Sequence, residues 1–120
     1  RASKRLTTCE IKIPWALIQT PLYDYGLPRS VTYGSIGTII GQEIARAFTT
    51  KGLYASDDGN YKTLLTEVAR PAFDNRTQCF VTQYSKIRIH LQEWGSLRIN
   101  GQRTLEENIV DNVGIRSAFN

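Results

Sequence analysis

A change of rhythm at Ile36 constrains this chain more than any other feature. From there Ile36, Ile39, Ile40, Ile44, Ala47 and Phe48 recur at helical spacing. On a helix turning about 100° per residue, that set lies on one side, which predicts an amphipathic helix over residues 35–50. On the same wheel Glu43 falls inside the apolar stripe, near Ile36 and Ala47. Gln42 and Arg46, four residues apart, flank it. A buried carboxylate with no partner is costly, so Glu43 requires one. The plain reading of the periodicity is a core glutamate held by an arginine or a backbone donor.

The flanking segments predict the rest of the architecture. Residues 10–18, "EIKIPWALI", alternate and then run apolar as a half-buried strand does, interrupted by Pro14. Pro21, Gly26 and Pro28 make residues 19–33 a loop, and "ASDDGN" (55–60) is a turn. Leu65, Val68, Ala69, Ala72, Phe73, Phe80, Tyr84 and Ile87 fit a second, long helix, which Pro71 is expected to kink or split. Asn100-Gly101 forms a turn before a third helix that runs from Thr104 to Phe119. On that helix Leu105, Ile109 and Val113 share one side. Glu107 and Asp111 share the other with Gly114 and Ala118, small residues that leave room for something to approach the two carboxylates. Thr104-Leu-Glu-Glu107 also spells a capping box, in which Glu107 bonds back to the Thr104 amide. A residue in the first turn can do both. The pattern predicts an α+β class, mainly helical, with three main helices and a small sheet or hairpin.

At 120 residues the chain is read as one domain, 1–120, with residues 1–8 as a flexible tail. Its charge of +4 comes from 15 basic and 11 acidic residues scattered along the chain. A nucleic-acid partner would require clustered Lys and Arg with aromatics on one face, and that class is excluded. Affinity for acidic glycans or anionic surfaces stays open. No apolar run approaches the ~20 residues that span a bilayer, so this chain carries no transmembrane segment. Asn75-Arg76-Thr77 is an N-glycosylation acceptor, which makes Asn75 a candidate site and favours a secreted protein. Cys9 and Cys79 can bridge each other or pair outside the chain. Neither has the near neighbour that a metal site requires. His90 lies outside every motif and reads as a surface or loop residue.

Taken in order, five stretches resemble the catalytic core of the neprilysin/endothelin-converting-enzyme family of zinc peptidases, the M13 type. "IPWALIQTPLYD" (13–24) is similar to that family's F-P-A-G-I-L-Q-P-P-F-[FY] stretch. "VTYGSIGTIIGQEIARAF" (31–48) is similar to L-N-Y-G-G-I-G-x-V-I-G-H-E-I-T-H-G-F. "DDGNYKTLLTE" (57–67) resembles D-G-N-L-x-x-W-W-T, and "TQCFVTQYS" (77–85) resembles x-Q-C-x-V-x-Q-Y. "INGQRTLEENIVDNVGI" (99–115) resembles L-N-G-x-x-T-L-G-E-N-I-A-D-N-G-G-L. Order and spacing hold over about residues 9–119.

The resemblance implies a thermolysin-like zincin core, activity on short peptides and one zinc ion. In the family, two helix histidines and the glutamate of E-N-x-x-D hold the metal, and the glutamate between the histidines is the general base. The histidine positions here are Gln42 and Arg46, the base position is Glu43, and the third-ligand position is Glu107. Asp111 stands where the family's aspartate orients a ligand histidine, and Thr49 stands at a further family aspartate. The family cysteine matching Cys79 pairs upstream of the region covered here, whereas Cys9 has no family match.

An always-protonated guanidinium cannot coordinate zinc, and a neutral amide is a poor ligand. The frame of the site is kept and its ligand set is not, so no cofactor is expected. The resemblance then implies a catalytically inactive, secreted or ectodomain-derived protein that binds a peptide or protein partner. Two alternatives stand beside it: a residual zinc metalloendopeptidase with unusual ligands, and a small basic secreted module that binds acidic surfaces. In the inactive reading Arg46 replaces the metal as the charge that satisfies the old carboxylates, meeting Glu107, while Gln42 donates its amide to a neighbour.

Overall fold

The computed structural model describes residues 3–5, 10–54, 64–92 and 95–120. The fold is α+β and mainly helical. It divides into two compact units, Arg1–Leu64 with Val110–Asn120, and Leu65–Ile109. The expected turn at 55–60 lies outside the described residues.

In the first unit, strand β1 (Ser3–Arg5) pairs antiparallel with β2 (Glu10–Lys12), with Lys4 opposite Ile11. This corrects two expectations. Part of the expected tail is a strand, and the strand expected over 10–18 stops at Lys12. Pro14 has no N–H to continue a ladder. Its carbonyl instead accepts the amide of Leu17 at 2.9 Å and opens a 3-10 turn, Trp15–Leu17.

The next helix begins well before residue 35. Pro28, with extended backbone, caps α1 (Arg29–Thr32), and Pro is well suited to the start of a helix because its missing N–H has no partner there. The chain continues without a break through a π-helical turn (Tyr33–Gly37), α2 (Thr38–Ala45) and a 3-10 turn (Arg46–Phe48). The expected loop therefore ends at Pro28. Ser35 ties this rod to the loop: its hydroxyl donates to the Leu22 carbonyl at 2.6 Å. Ile36, Ala45 and Val110 supply buried apolar side chains of this unit.

In the second unit, α3 (Ala69–Ser85) is unbroken. Pro71 is its third residue, within the first turn, where the amide has no helical acceptor. The kink expected from the proline does not arise, because no hydrogen bond is lost there. Strands β3 (Arg88–Leu91) and β4 (Gly95–Arg98) follow as an antiparallel pair. The Asn100-Gly101 turn then reverses the chain. The Asn100 side chain accepts the Arg103 amide at 3.0 Å, and the Gly101 amide donates to Ser85 Oγ at 3.2 Å. Gly101 packs so closely on the Val81 carbonyl that a Cβ would overlap it.

Helix α4 (Leu105–Phe119) begins in this second unit and supplies residues 110–119 to the first. The capping box is not formed as expected: the Thr104 amide donates to the Asn100 carbonyl at 3.1 Å. The Thr104 hydroxyl accepts from Asn108 Nδ2 at 2.9 Å. Asn108, Ile109, Val110 and Gly114 are buried, while Val113 is exposed. Of Leu105, Ile109 and Val113, which share a side in the sequence, only Ile109 is buried.

Candidate functional site

The site expected from the sequence is assembled in the first unit by one close contact. Gly41 of α2 and Gly114 of α4 meet so tightly that a Cβ on Gly41 would lie 2.9 Å from the Gly114 carbonyl oxygen. A Cβ on Gly114 would lie 2.8 Å from the Gln42 amide nitrogen and 2.9 Å from the Thr38 carbonyl. Backbone thus lies on backbone, an approach open only to glycine. The room that the small residues of α4 leave beside Asp111 is filled by α2 itself.

That contact brings Gln42 and Asp111 together. Gln42 Nε2 donates to Asp111 Oδ1 at 2.9 Å, joining residues 69 apart in sequence. The next residue of α2, Glu43, is buried to 4% exposure. Its partner is Arg46: Nε donates to Oε1 at 3.3 Å and lies 3.2 Å from Oε2. The second distance is a charge contact only, since Oε2 makes no hydrogen bond. The Arg46 side chain is 24% exposed, and its Nε lies on the carboxylate.

Thr49 is buried and serves the backbone. Its hydroxyl donates to the Arg46 carbonyl at 3.1 Å and accepts the Gly52 amide at 3.4 Å, closing the helix end. Sequence reading assigned Thr49 no structural task. A Thr directly after a helix, with Gly three residues on, is the signal that was there to find.

Glu107 lies in the second unit, exposed in the first turn of α4, where a negative charge suits the helix N-terminus. Asn75 is exposed near the middle of α3, with Thr77 buried beside it and its hydroxyl donating to the Asp74 carbonyl at 2.9 Å. Cys79 is a free, exposed thiol on the same helix, and Cys9 lies outside the described residues. His90 is exposed on β3, opposite Ser96.

These donors do not suit a zinc ion in this unit. Zinc takes imidazole, thiolate or carboxylate ligands at about 2 Å. The Gln42 amide is already bonded to Asp111, and the Glu43 carboxylate is held by a cation. Arg46 has no lone pair to give.

Residues 5–120 match the model of peptidase family M13. The chain belongs to peptidase family M13. Among its M13 relatives, the endothelin-converting enzyme homolog of Locusta migratoria is 36% identical over 113 residues, which cover 94% of this chain and 15% of the relative. Human endothelin-converting enzyme 1 is 34% identical over 113 residues, covering 94% of this chain and 14% of that enzyme. A crystal structure of a zinc metalloprotease from Mycobacterium tuberculosis, in complex with an inhibitor, superposes with a TM-score of 0.89 at 31% identity. It covers 98% of this chain and 18% of that one. The chain therefore spans about a seventh of the curated relatives named here. Its fold is that of the M13 zincin core.

Proposed function

We propose that this M13 chain is catalytically inactive, works outside the cell, and acts by binding a peptide or protein partner. The observation that carries the reading is Arg46, at a family ligand position, with its Nε on the buried Glu43. A general base must take a proton from an activated water, and this carboxylate already serves as counter-ion to a fixed cation. When bound, zinc would supply the lowered water pKa that peptide hydrolysis requires. No step through it is open to Gln42 and Arg46. Gln42 and Asp111 instead tie α2 to α4 through their side chains, so the old site has become a structural seam.

Metal analysis of the purified chain, with a cleavage assay on short peptides, tests this reading. The expected result is no stoichiometric zinc and no turnover. About one zinc per chain, lost on Glu107→Ala, would establish the second reading, a zinc metalloendopeptidase with unusual ligands. That reading draws its support from the named relatives, which are described as converting enzymes and a zinc metalloprotease.

None of the described helices is long and apolar enough to cross a membrane. The extracellular setting draws support from the exposed Asn75 acceptor. Because Thr77 is buried with its hydroxyl engaged, a glycan would be attached before α3 forms. An enzymatic deglycosylation that leaves the mass of secreted material unchanged would remove that support.

A further inference from the structure

The β3–β4 hairpin of the second unit has no role in the seam described above, yet it presents three unsatisfied features at once. The first is its exposure. All eight of its residues are exposed, including Ile89 at 46%, Leu91 at 42% and Leu97 at 61%. In the register, Arg88 lies opposite Arg98, Ile89 opposite Leu97, and His90 opposite Ser96. Side chains alternate between faces along a strand, so Ile89, Leu91 and Leu97 line one face. Arg88, His90, Ser96 and Arg98 line the other.

The second feature is charge. Directly opposed residues bring their Cβ atoms to about 4.5–5.5 Å, and like charges so placed destabilise the pair. Neither Arg88 nor Arg98 has an acidic partner among the described residues, and Lys86 adds a third positive charge just before β3.

The third feature is the backbone. The two strands bond each other, and the ladder is extended by the Ile99 amide on the Ile87 carbonyl at 3.2 Å. Neither outer edge carries a hydrogen bond to another element among the described residues. A lone two-stranded hairpin is marginal in water, and open edges are templates for another strand.

We propose that this hairpin is a docking edge. It accepts, as a third strand, an extended segment of a separate protein in which acidic and apolar residues alternate. The segment's backbone satisfies an open edge, its carboxylates meet Arg88 or Arg98, and its apolar side chains cover Ile89 and Leu97. Other occupants satisfy less. A second copy of this chain would bring further arginines and no carboxylate from β3 or β4. A sulfated glycan or nucleic acid would meet the arginine face and leave both the backbone edge and the apolar face in water. The proposal gives a chemistry to the partner in the functional reading above and rests on that reading. The two fail separately, because zinc content says nothing about the hairpin.

The test titrates the intact chain with a short synthetic peptide alternating Glu and Val, followed by calorimetry and by amide chemical shifts. Saturable binding is expected, with the shifts confined to residues 86–99. A peptide of the same composition with its Glu and Val in separate blocks should bind at least about tenfold more weakly. Arg88→Glu with Arg98→Glu should lose the Glu/Val peptide and gain one alternating Lys and Val, which also shows that the variant is folded. Equal binding of the block peptide, displacement by a heparin fragment at equal charge, or no binding of either peptide would each overturn the proposal.

Discussion

Glu43 and Arg46 are the residues on which the energetics of the seam turn. A carboxylate at 4% exposure has given up nearly all its water, and one guanidinium three residues away supplies its compensation. Breaking a buried ion pair by deleting one partner typically costs about 3–5 kcal/mol, because the other charge is stranded. Arg46 is partly exposed, which places the expected loss for Arg46→Ala near the bottom of that range, about 3 kcal/mol. Glu43→Gln added to Arg46→Ala should restore part of the loss, since a neutral amide is less costly to bury than a lone carboxylate. Urea denaturation of the two variants checks this. If Arg46→Ala unfolds at the wild-type midpoint, the carboxylate is supported by something other than this arginine. The sequence already showed that Glu43 lies within an apolar stripe and therefore needs a donor. It did not show that the donor belongs to the same helix, because a flank position at this spacing can turn either way.

At the scale of elements, the Gly41–Gly114 contact decides how α2 meets α4. A methyl group on Gly114 would lie 2.6 Å from Gln42 Cγ and 2.8 Å from the Gln42 amide nitrogen. Backbone cannot yield as a long side chain does, so the helices must move apart. Overpacking of this kind costs roughly 1–3 kcal/mol. Gly114→Ala should therefore destabilise the chain by about 2 kcal/mol even though alanine favours helix. It should also shift the side-chain amide resonances of Gln42, because the 2.9 Å bond to Asp111 depends on the same approach. A stabilised variant with unchanged Gln42 resonances would show that α4 does not pack here. Gly114 was visible in the sequence as a small residue beside two carboxylates. What filled the space was not visible, since that depends on a residue more than seventy positions earlier.

On the scale of the whole molecule, the described residues bury few large side chains, and Val110 is the one that is fully buried. Trp15, Tyr25, Val68 and Phe119 are each more than four-fifths exposed. Apolar area removed from water stabilises by roughly 25 cal/mol per Å², and each residue ordered costs about 1–2 kcal/mol in backbone entropy. A chain with so many apolar side chains in water has a narrow margin. The isolated 120-residue chain is expected to bind a dye such as ANS under native conditions. Its urea transition should be shallow, with a slope near the lower end of the ~1–3 kcal/mol/M typical of small proteins. A steep transition with no dye binding would mean that these side chains are covered in solution.

Local sequence sets the helices and the family frame. The period from Ile36, the Asn100-Gly101 turn and the run from Thr104 are local signals, set by propensity and by the spacing of side chains along one element. It also determined that an arginine stands where a ligand should, since residue identity needs no geometry. Tertiary structure alone decided which side of α4 is buried, that Pro71 costs its helix nothing, and that Gln42 and Asp111 are bonded partners. Each of these depends on where one backbone approaches another. A proline is harmless when it falls in the first turn, and that depends on where α3 starts, which the apolar pattern places four residues too early. A glycine face becomes an interface only when a second glycine arrives opposite it. Periodicity records which residues share a face, and packing decides which face is used.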